Sequence, residues 1–302
     1  MHPTFSEQVR LLVTAMPYVA QETCFALKGG SAINLFLRNL PRLSVDLDLV
    51  YLPIEDRETS LTNIDAAMRR IAARIRQAMV GSSVAETLLP KTKQCIRLQV
   101  MQHNTSIKIE VSPVMRGTLN PISASVLSAA TQVEFGFARM NLLHFTDIYA
   151  GKLCAALDRQ HPRDLFDVHF LLENEGITPA LKDTFLVYLI SSNRPMAELL
   201  APNRHDIKAL YAAEFVGMTN EHVPLEQLLD ARERMIATLH ERLTDRDREF
   251  LLSVKRGKPE WSLCALPNAA NLPAVRWKLH NLAAMKLAQH KQALAKLEQV
   301  LL

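Results

Sequence analysis

The sequence predicts an α/β domain followed by a helical domain, and two observations support this division. Up to about residue 143, short β-like runs alternate with segments of helical periodicity, whereas the helical period then continues without strands. The 302 residues are enough for two domains of ordinary size, and only 9 are glycine, which suits a helix-rich fold with few turns. We therefore expect an α/β core over residues 1–140 and a helical domain over residues 141–302.

Composition limits the classes of protein to which this chain can belong. A hydrophobic fraction of 48% with 22% charged residues is typical of a folded globular protein. No apolar run reaches the roughly 18 residues of a membrane span, and Glu7 and Arg10 before a short apolar stretch argue against a cleavable signal peptide. The 4 cysteines are scattered, as expected for reduced thiols. We expect a cytoplasmic protein without a membrane partner.

Apolar spacing defines the elements of the core. In one predicted strand, Leu47 and Leu49 face one way while Asp46 and Asp48 face the other, which is the pattern of a half-buried strand. The spacing predicts helices over residues 4–19, 32–38 and 56–79, strands over 24–27, 45–52, 94–101, 106–111, 132–135 and 138–143, and a hairpin turn at His103-Asn104.

Capping residues define the helices of the second domain. Thr146 is placed to cap a helix that runs to about Arg159, and Pro162 occupies the first position of a helix that Gly176 ends. Thr178-Pro179 begins a third helix by the same cap-and-proline device. Further helices are predicted at about 204–214, 224–240, 242–254 and 274–300.

Two basic clusters bear on possible nucleic-acid partners. Residues 271–302 contain five cations, Arg276, Lys278, Lys286, Lys291 and Lys296, against Glu298 alone, which gives a local charge of +4. Arg69, Arg70, Arg74 and Arg76 lie together on the predicted helix over 56–79. Such patches can follow a phosphate backbone, and they can equally be the solvated faces of amphipathic helices.

A glycine turn and a carboxylate pair are the most informative residues. Gly30-Ser31 opens a helix, where free backbone N–H groups can hold a phosphate. Asp46 and Asp48 lie two residues apart on one strand face, about 6.6 Å from each other, and such a pair favours a divalent cation between them. The alternative is a hydrated strand end. The chain between turn and strand supplies further donors for triphosphate oxygens, namely Arg38, Arg42 and Ser44.

A second predicted strand carries two charges on one face. In the run from Ile107 to Val111 the apolar residues point inward, while Lys108 and Glu110 share the opposite face. If this strand lies beside Asp46 and Asp48, then Glu110 becomes a third metal carboxylate or a general base for the attacking hydroxyl. The alternative is an exposed Lys108–Glu110 pair.

A third group of charges begins the helical domain. Lys152 and Arg159 share one helical face with two small alanines between them, which leaves room for a ligand. Asp164 and Asp167 lie one turn apart on the next helix, where Asp164 also suits the helix dipole. Asp167 requires a partner, for which Lys152 and Arg163 are the candidates. The alternative interpretation of the group is an ion pair between two helices.

Together these motifs resemble the AbiEii/AbiGii-type nucleotidyltransferase toxin family over about Phe25 to Phe170. The resemblance implies a polymerase-beta-like nucleotidyltransferase core with a mixed sheet, completed by residues of the helical domain. The resemblance implies a nucleotide-binding turn at Gly30 and Ser31, metal ligands Asp46 and Asp48, a second motif of Lys108 and Glu110, and a further motif of Lys152, Asp164 and Asp167. Together with the reading of the residues, we expect catalytic Asp46, Asp48, Glu110, Lys152 and Asp167, of which the first three are also the metal ligands, and nucleotide-binding Gly30, Ser31, Arg42, Ser44, Lys108, Arg163 and Asp164.

The expected function is transfer of a nucleoside monophosphate from an NTP to an acceptor hydroxyl, with Mg²⁺ or Mn²⁺. The resemblance further implies a transfer RNA acceptor end and a cognate antitoxin as partner in a bacterial toxin–antitoxin or phage-defence pair. Two alternatives stay open: transfer to a small molecule, as in aminoglycoside-modifying enzymes, and a catalytically silent nucleotide-binding partner protein. Intact Asp46, Asp48, Lys152 and Asp167 argue against the silent protein.

Overall fold

The computed structural model describes residues 3–301 and divides into two compact units. The first unit ends at His144 and also includes Gly217–His222, while the second comprises Phe145–Val216 and resumes at Val223. The returning segment is held within the first unit, because the Leu43 N–H donates to the Met218 carbonyl at 2.8 Å. No feature of the sequence predicts that return.

The first unit contains a mixed sheet of seven strands in the order β3-β4-β5-β2-β1-β7-β6. Strand β1 pairs antiparallel with β2 and parallel with β7, and β2 pairs parallel with β5. The predicted mixed sheet of an α/β core is therefore confirmed. The strands are β1 (Phe25–Lys28), β2 (Asp46–Tyr51), β3 (Ser82–Leu88), β4 (Cys95–Gln102), β5 (Thr105–Val111), β6 (Ser123–Val126) and β7 (Arg139–Leu142).

Strand β2 shows the predicted alternation. Leu47 and Leu49 are fully buried, whereas Asp46 and Asp48 are half-buried on the other face. The hairpin between β4 and β5 turns at the predicted position, where His103 adopts a left-handed φ of 52°. The central strands thus follow directly from the period of two in the sequence.

Helices flank this sheet, and one segment that was predicted to be a strand is helical. Residues 132–135 were expected to form a strand, but they lie in a helix that follows the N-cap position of Ser128 and ends at Gly136, whose φ is 95°. These local start and stop signals outweigh the β propensity of the run. The helices are α1 (Pro3–Ala20), α2 (Gly29–Ser31), a π-helix (Ala32–Leu37), α3 (Arg57–Ala78) and α4 (Ala129–Phe135).

The second unit is helical, and no strand lies within its described residues. Thr178 caps its helix as predicted, since its side chain accepts from the Leu181 N–H at 3.2 Å, whereas Thr146 lies inside its helix. The helix predicted over 274–300 is two helices. The helices are α5 (Phe145–Arg159), α6 (Pro162–Asn174), α7 (Pro179–Ser191), α8 (Met196–Leu200), α9 (Lys208–Glu214), α10 (Leu225–Arg242), α11 (Asp245–Lys255), α12 (Pro273–Ala283) and α13 (Leu287–Leu301), with 3₁₀ turns at Trp261–Leu263 and Ala269–Asn271.

The arginine cluster on α3 is paired with carboxylates of the first unit, and three of its four side chains are still 45–53% exposed. Glu22 is buried, and its carboxylate accepts hydrogen bonds from Arg70 and Arg74. These hydrogen bonds, of which that from Arg70 has the largest effect, lower the pKa of the Glu22 carboxyl. The ion pairs are Arg70–Glu22, Arg74–Glu22, Arg69–Glu86 and Arg76–Glu86, at 2.7–3.0 Å.

Within residues 3–301, the helices are all too short or too polar to cross a membrane.

Candidate active site

The glycine turn after β1 is built against the carboxylate of Asp48. Gly29 has a φ of +72°, a conformation that side chains disfavour. A Cβ added at Gly29 would lie 2.6 Å from Asp48 Oδ2, well inside van der Waals contact. Only a residue without a side chain therefore lets the turn and this carboxylate approach so closely.

Gly30, the next residue of the turn, also has no room for a side chain, because Arg42 and Ser44 lie against it. A Cβ at this position would lie 2.8 Å from Arg42 Nη2 and 2.9 Å from Ser44 Oγ. The Gly30 carbonyl accepts a hydrogen bond from Asn34 Nδ2 at 2.9 Å, which joins the turn to the following π-helix. The turn is thus fixed by packing and hydrogen bonds, as a preorganised phosphate site requires.

The predicted donors Ser31, Arg42 and Ser44 lie behind this turn. All three are buried, with exposed fractions of 1%, 2% and 8%. Ser31 Oγ donates to the Asp46 carbonyl and lies 3.0 Å from Ser44 Oγ, and Arg42 Nη1 donates to the Leu43 carbonyl at 2.8 Å. These contacts attach the turn to the start of β2, so the three side chains position the backbone of the turn.

Sheet register brings the predicted carboxylates into one row of charges. Because β2 and β5 are parallel with Asp46 opposite Lys108 and Asp48 opposite Glu110, all four side chains belong to the same face. On the other side of β2, Lys28 is the partner of Asp48. The expected neighbourhood of Glu110 and the Asp pair is therefore present.

Glu110, however, is engaged by a residue that the sequence did not indicate. Arg97 of β4 is its register partner, and Arg97 Nε lies 2.6 Å from Glu110 Oε2. Within residues 3–301, no group of three His, Cys, Asp or Glu side chains is placed to hold a metal ion. The expected three-carboxylate cluster is not formed, because the neighbouring strand supplies a cation to Glu110.

A cavity of about 210 Å³ opens beside this row. Its charged walls are Lys28, Asp48, Arg97 and Glu110, so two cations face two carboxylates. The remaining lining residues are Leu49, Ile96, Val111, Ser112 and Pro113. Lys28 was missed by the sequence analysis, although its position immediately before Gly29 and its pairing with Asp48 identify it in the structure.

The residues present fit a magnesium ion that is shared with a substrate. Mg²⁺ takes oxygen ligands and is usually held by one or two carboxylates together with waters and substrate phosphates. Asp46 and Asp48 provide such a pair on one strand face, and the Gly29 turn lies close against the Asp48 carboxylate. A third protein carboxylate is not required for this donor set.

In the second unit, Lys152 joins the two aspartates of α6. Lys152 Nζ lies 2.7 Å from Asp164 Oδ1 and 2.9 Å from Asp167 Oδ2, and all three side chains are buried. Arg159 Nε adds a bond of 2.5 Å to Asp164. Burial alone would raise the pKa of Asp164, but the two cations outweigh it and hold that pKa well below its usual range.

This geometry identifies Lys152 as a partner of Asp167. Arg163, the other candidate, pairs with Glu214 instead, with its Nη2 lying 3.2 Å from Oε2 of that residue. The ion pair between two helices, which the sequence left as an alternative, is therefore present. Nucleotide-binding roles for Lys108, Arg163 and Asp164 stay predictions.

The fold and the site together define a class of enzyme. A mixed sheet with a glycine turn after β1 and two carboxylates on one face of β2 has the parts of a nucleotidyltransferase. The sequence model of the family described as nucleotidyl transferase AbiEii toxin, type IV TA system, matches residues 10–281. This match spans most of the chain, so the protein belongs to the AbiEii family and is a nucleotidyltransferase.

Comparison with solved structures supports the same fold. MenT4, a nucleotidyltransferase toxin from Mycobacterium tuberculosis, superposes with a TM-score of 0.61 at 15% identity, over 93% of this chain and 92% of that chain. Terminal uridylyl transferase 4 from Trypanosoma brucei, with bound dUTP, matches at 13% identity over 97% of this chain and 100% of that chain. Its TM-score of 0.27 is too low to indicate a shared fold. Among curated proteins, no sequence matches this chain.

Proposed function

We propose that this nucleotidyltransferase transfers a nucleoside monophosphate from an NTP to an acceptor hydroxyl at the cavity beside β2, with Mg²⁺ or Mn²⁺ held by Asp46 and Asp48. The observation that carries the proposal is the contact between the Gly29 turn and Asp48. A backbone turn suited to a phosphate and a carboxylate suited to a metal ion lie side by side in this contact, which supports the proposal. A triphosphate and its cation need that juxtaposition.

Each part of the site has a task in the transfer. When bound, the metal supplies neutralising charge for the triphosphate and for the departing pyrophosphate. The Gly30 turn holds phosphate oxygens through backbone N–H groups, while Lys28 and Arg97 add positive charge at the cavity wall. The acceptor oxygen forms a bond to the α-phosphorus, the bond from that phosphorus to the bridging oxygen breaks with pyrophosphate as the leaving group, and the hydroxyl proton passes to solvent water.

The acceptor in this proposal is an RNA, specifically the acceptor end of a transfer RNA, and the regulator is a cognate antitoxin. The type IV toxin–antitoxin description of the family supports the antitoxin. Lys28 and Arg97 balance Asp48 and Glu110 in the cavity walls, so the cavity lacks the acidic excess that would favour a cationic small-molecule acceptor. We place the reaction in the cytoplasm, where NTPs and transfer RNA occur together.

The test is incubation of the purified protein with total RNA and each α-labelled NTP, in Mg²⁺, Mn²⁺ or chelator. We expect label from one NTP in a band of transfer RNA size, dependent on the metal. Asp48→Asn should abolish labelling, whereas Glu58→Gln, which removes an exposed carboxylate of the same unit, should not. Labelling that survives in Asp48→Asn, or that needs no metal, would place the chemistry elsewhere.

A further inference from the structure

A small cavity of about 170 Å³ in the second unit is lined by two lysines. Lys255, at the end of α11, is largely buried, with only 7% of its surface exposed. Lys278 of α12 lies in the same wall, together with Trp277 and Asn281. The sequence analysis counted Lys278 among the terminal basic residues but did not single out Lys255.

The ammonium group of Lys255 has no partner among the described residues. Its backbone carbonyl accepts from His290 Nε2 at 2.6 Å, but no hydrogen bond or ion pair within residues 3–301 reaches its Nζ. Burial lowers the pKa of Lys255. The fully buried side-chain atoms that lack a partner do not include Lys255 Nζ, so the ammonium stays accessible from the cavity that this lysine lines, where an anion can pair with it.

Lys278 is oriented toward the same space. Its Nζ donates to the carbonyls of Ser192 at 2.6 Å and Arg194 at 3.2 Å, which leaves one of its three N–H groups for a ligand. Burial, followed by the charge of Lys255, lowers the pKa of Lys278 to about 8. Two cations that disfavour each other across one cavity, with no carboxylate paired to either among the described residues, are both stabilised by an anion.

The shape of the site favours a phosphate with an attached base. The cavity is smaller than the roughly 300 Å³ of ordinary ligand pockets, so it suits a single anionic group rather than a whole nucleotide. Trp277 lines the same cavity and is 47% exposed, and His280 stacks against its ring with 5.6 Å between the centroids. A base would therefore stack on the aromatic surface that His280 does not cover. Asn281 adds an amide that can donate to a phosphate oxygen.

We propose that Lys255 and Lys278 form a binding site for a nucleotide phosphate, with the adjoining base stacked on Trp277. The site uses none of the residues of the candidate active site. It goes beyond the proposed transfer reaction, since it holds whether or not that reaction takes an RNA acceptor. A single-stranded RNA and a free mononucleotide share this chemistry.

The test follows tryptophan fluorescence while inorganic phosphate, AMP or a five-residue oligoribonucleotide is added. We expect AMP or the oligoribonucleotide to quench the signal of the native protein, and the quench to disappear in Trp277→Phe, which retains Trp261. Lys255→Met and Lys278→Met should each weaken binding at least tenfold. Lys286→Met, which removes an exposed lysine between α12 and α13, is the matched control and should bind normally.

Melting curves keep the test independent of fluorescence. Lys255→Met should melt above the native protein without ligand, because it removes a cation that has no partner among the described residues from a largely buried side chain. AMP or oligoribonucleotide should raise the melting temperature of the native chain alone. Preferential binding of the oligoribonucleotide identifies RNA as the source, and preferential binding of AMP identifies a mononucleotide. Binding of an acidic peptide with no binding of either nucleotide, or unchanged affinity in both methionine variants, would overturn the proposal.

Discussion

Gly29→Ala should separate the stability of the first unit from its activity. The substitution adds a methyl group at a left-handed φ of +72°, which costs about 1–2 kcal/mol whatever lies nearby. The added Cβ would also lie 2.6 Å from Asp48 Oδ2. That oxygen ends a short rotatable side chain, so the carboxylate can swing away at a further cost of about 0.5–1.5 kcal/mol.

Gly81→Ala is a matched control within the same unit. Gly81 has a φ of +74°, and a Cβ added there would have no atom within 4 Å. Both variants therefore carry the same backbone strain, and only Gly29→Ala displaces the Asp48 carboxylate. Any difference between them reports on that carboxylate.

The assay compares unfolding free energy with the rate of nucleotidyl transfer to RNA. The two variants should differ in stability by no more than about 1.5 kcal/mol. A displacement of about 1 Å at a reacting centre can cost about 10²-fold, so Gly29→Ala should lose about that factor in rate while Gly81→Ala stays near the native rate. Equal rates in the two variants would refute the idea that the turn positions Asp48 for catalysis.

The remaining predictions concern the metal and the buried charges of the second unit. Mg²⁺ with NTP should stabilise the native protein by about 2.7 kcal/mol at roughly 100 times its Kd, but it should not stabilise Asp46→Ala or Asp48→Ala. Thermal melts that shift equally in all three proteins would show that the metal binds at another site. Lys152→Ala leaves two buried carboxylates short of a cation, so chemical unfolding should show a loss of about 3–5 kcal/mol; native stability with a slowed single-turnover rate would instead indicate a catalytic lysine. The pKa of Asp164 is lowered in the folded state, so this carboxylate contributes its full share of folding stability at neutral pH. That contribution is lost as the pH drops below about 3.9, the pKa of an aspartate in the unfolded chain. Asp164→Asn should be less stable at pH 7 yet lose less stability on acidification to pH 3, and parallel pH profiles would contradict this.

The sequence predicted the centre of the sheet and its carboxylates well. The alternation of Asp46, Leu47, Asp48 and Leu49 is a local period, and a local period survives whatever packs around it. The hairpin turn at His103 could also be predicted from the sequence, because it too is a local feature. The glycine turn was predicted in position, but its contact with Asp48 is a consequence of pairing between β1 and β2.

The residues that sequence reasoning missed depend on strand register. Arg97 reaches Glu110, and Lys28 is placed opposite Asp48, only because particular strands are neighbours in a particular alignment. A single sequence contains no signal for that alignment. The edge strands β3 and β6 were missed because several of their side chains are exposed, so their apolar alternation is weak.

The segment Gly217–His222 determines the order in which the first unit can be completed during synthesis. The loop that carries Arg42 behind the glycine turn is joined at Leu43 to Met218, by a backbone hydrogen bond of 2.8 Å. Met218 leaves the ribosome only after residues 145–216 have been made. A nascent or truncated chain that stops earlier contains the carboxylates of β2 but lacks the segment that pairs with this loop. The glycine turn of this toxin is thus finished late, well after the carboxylates of β2 have emerged.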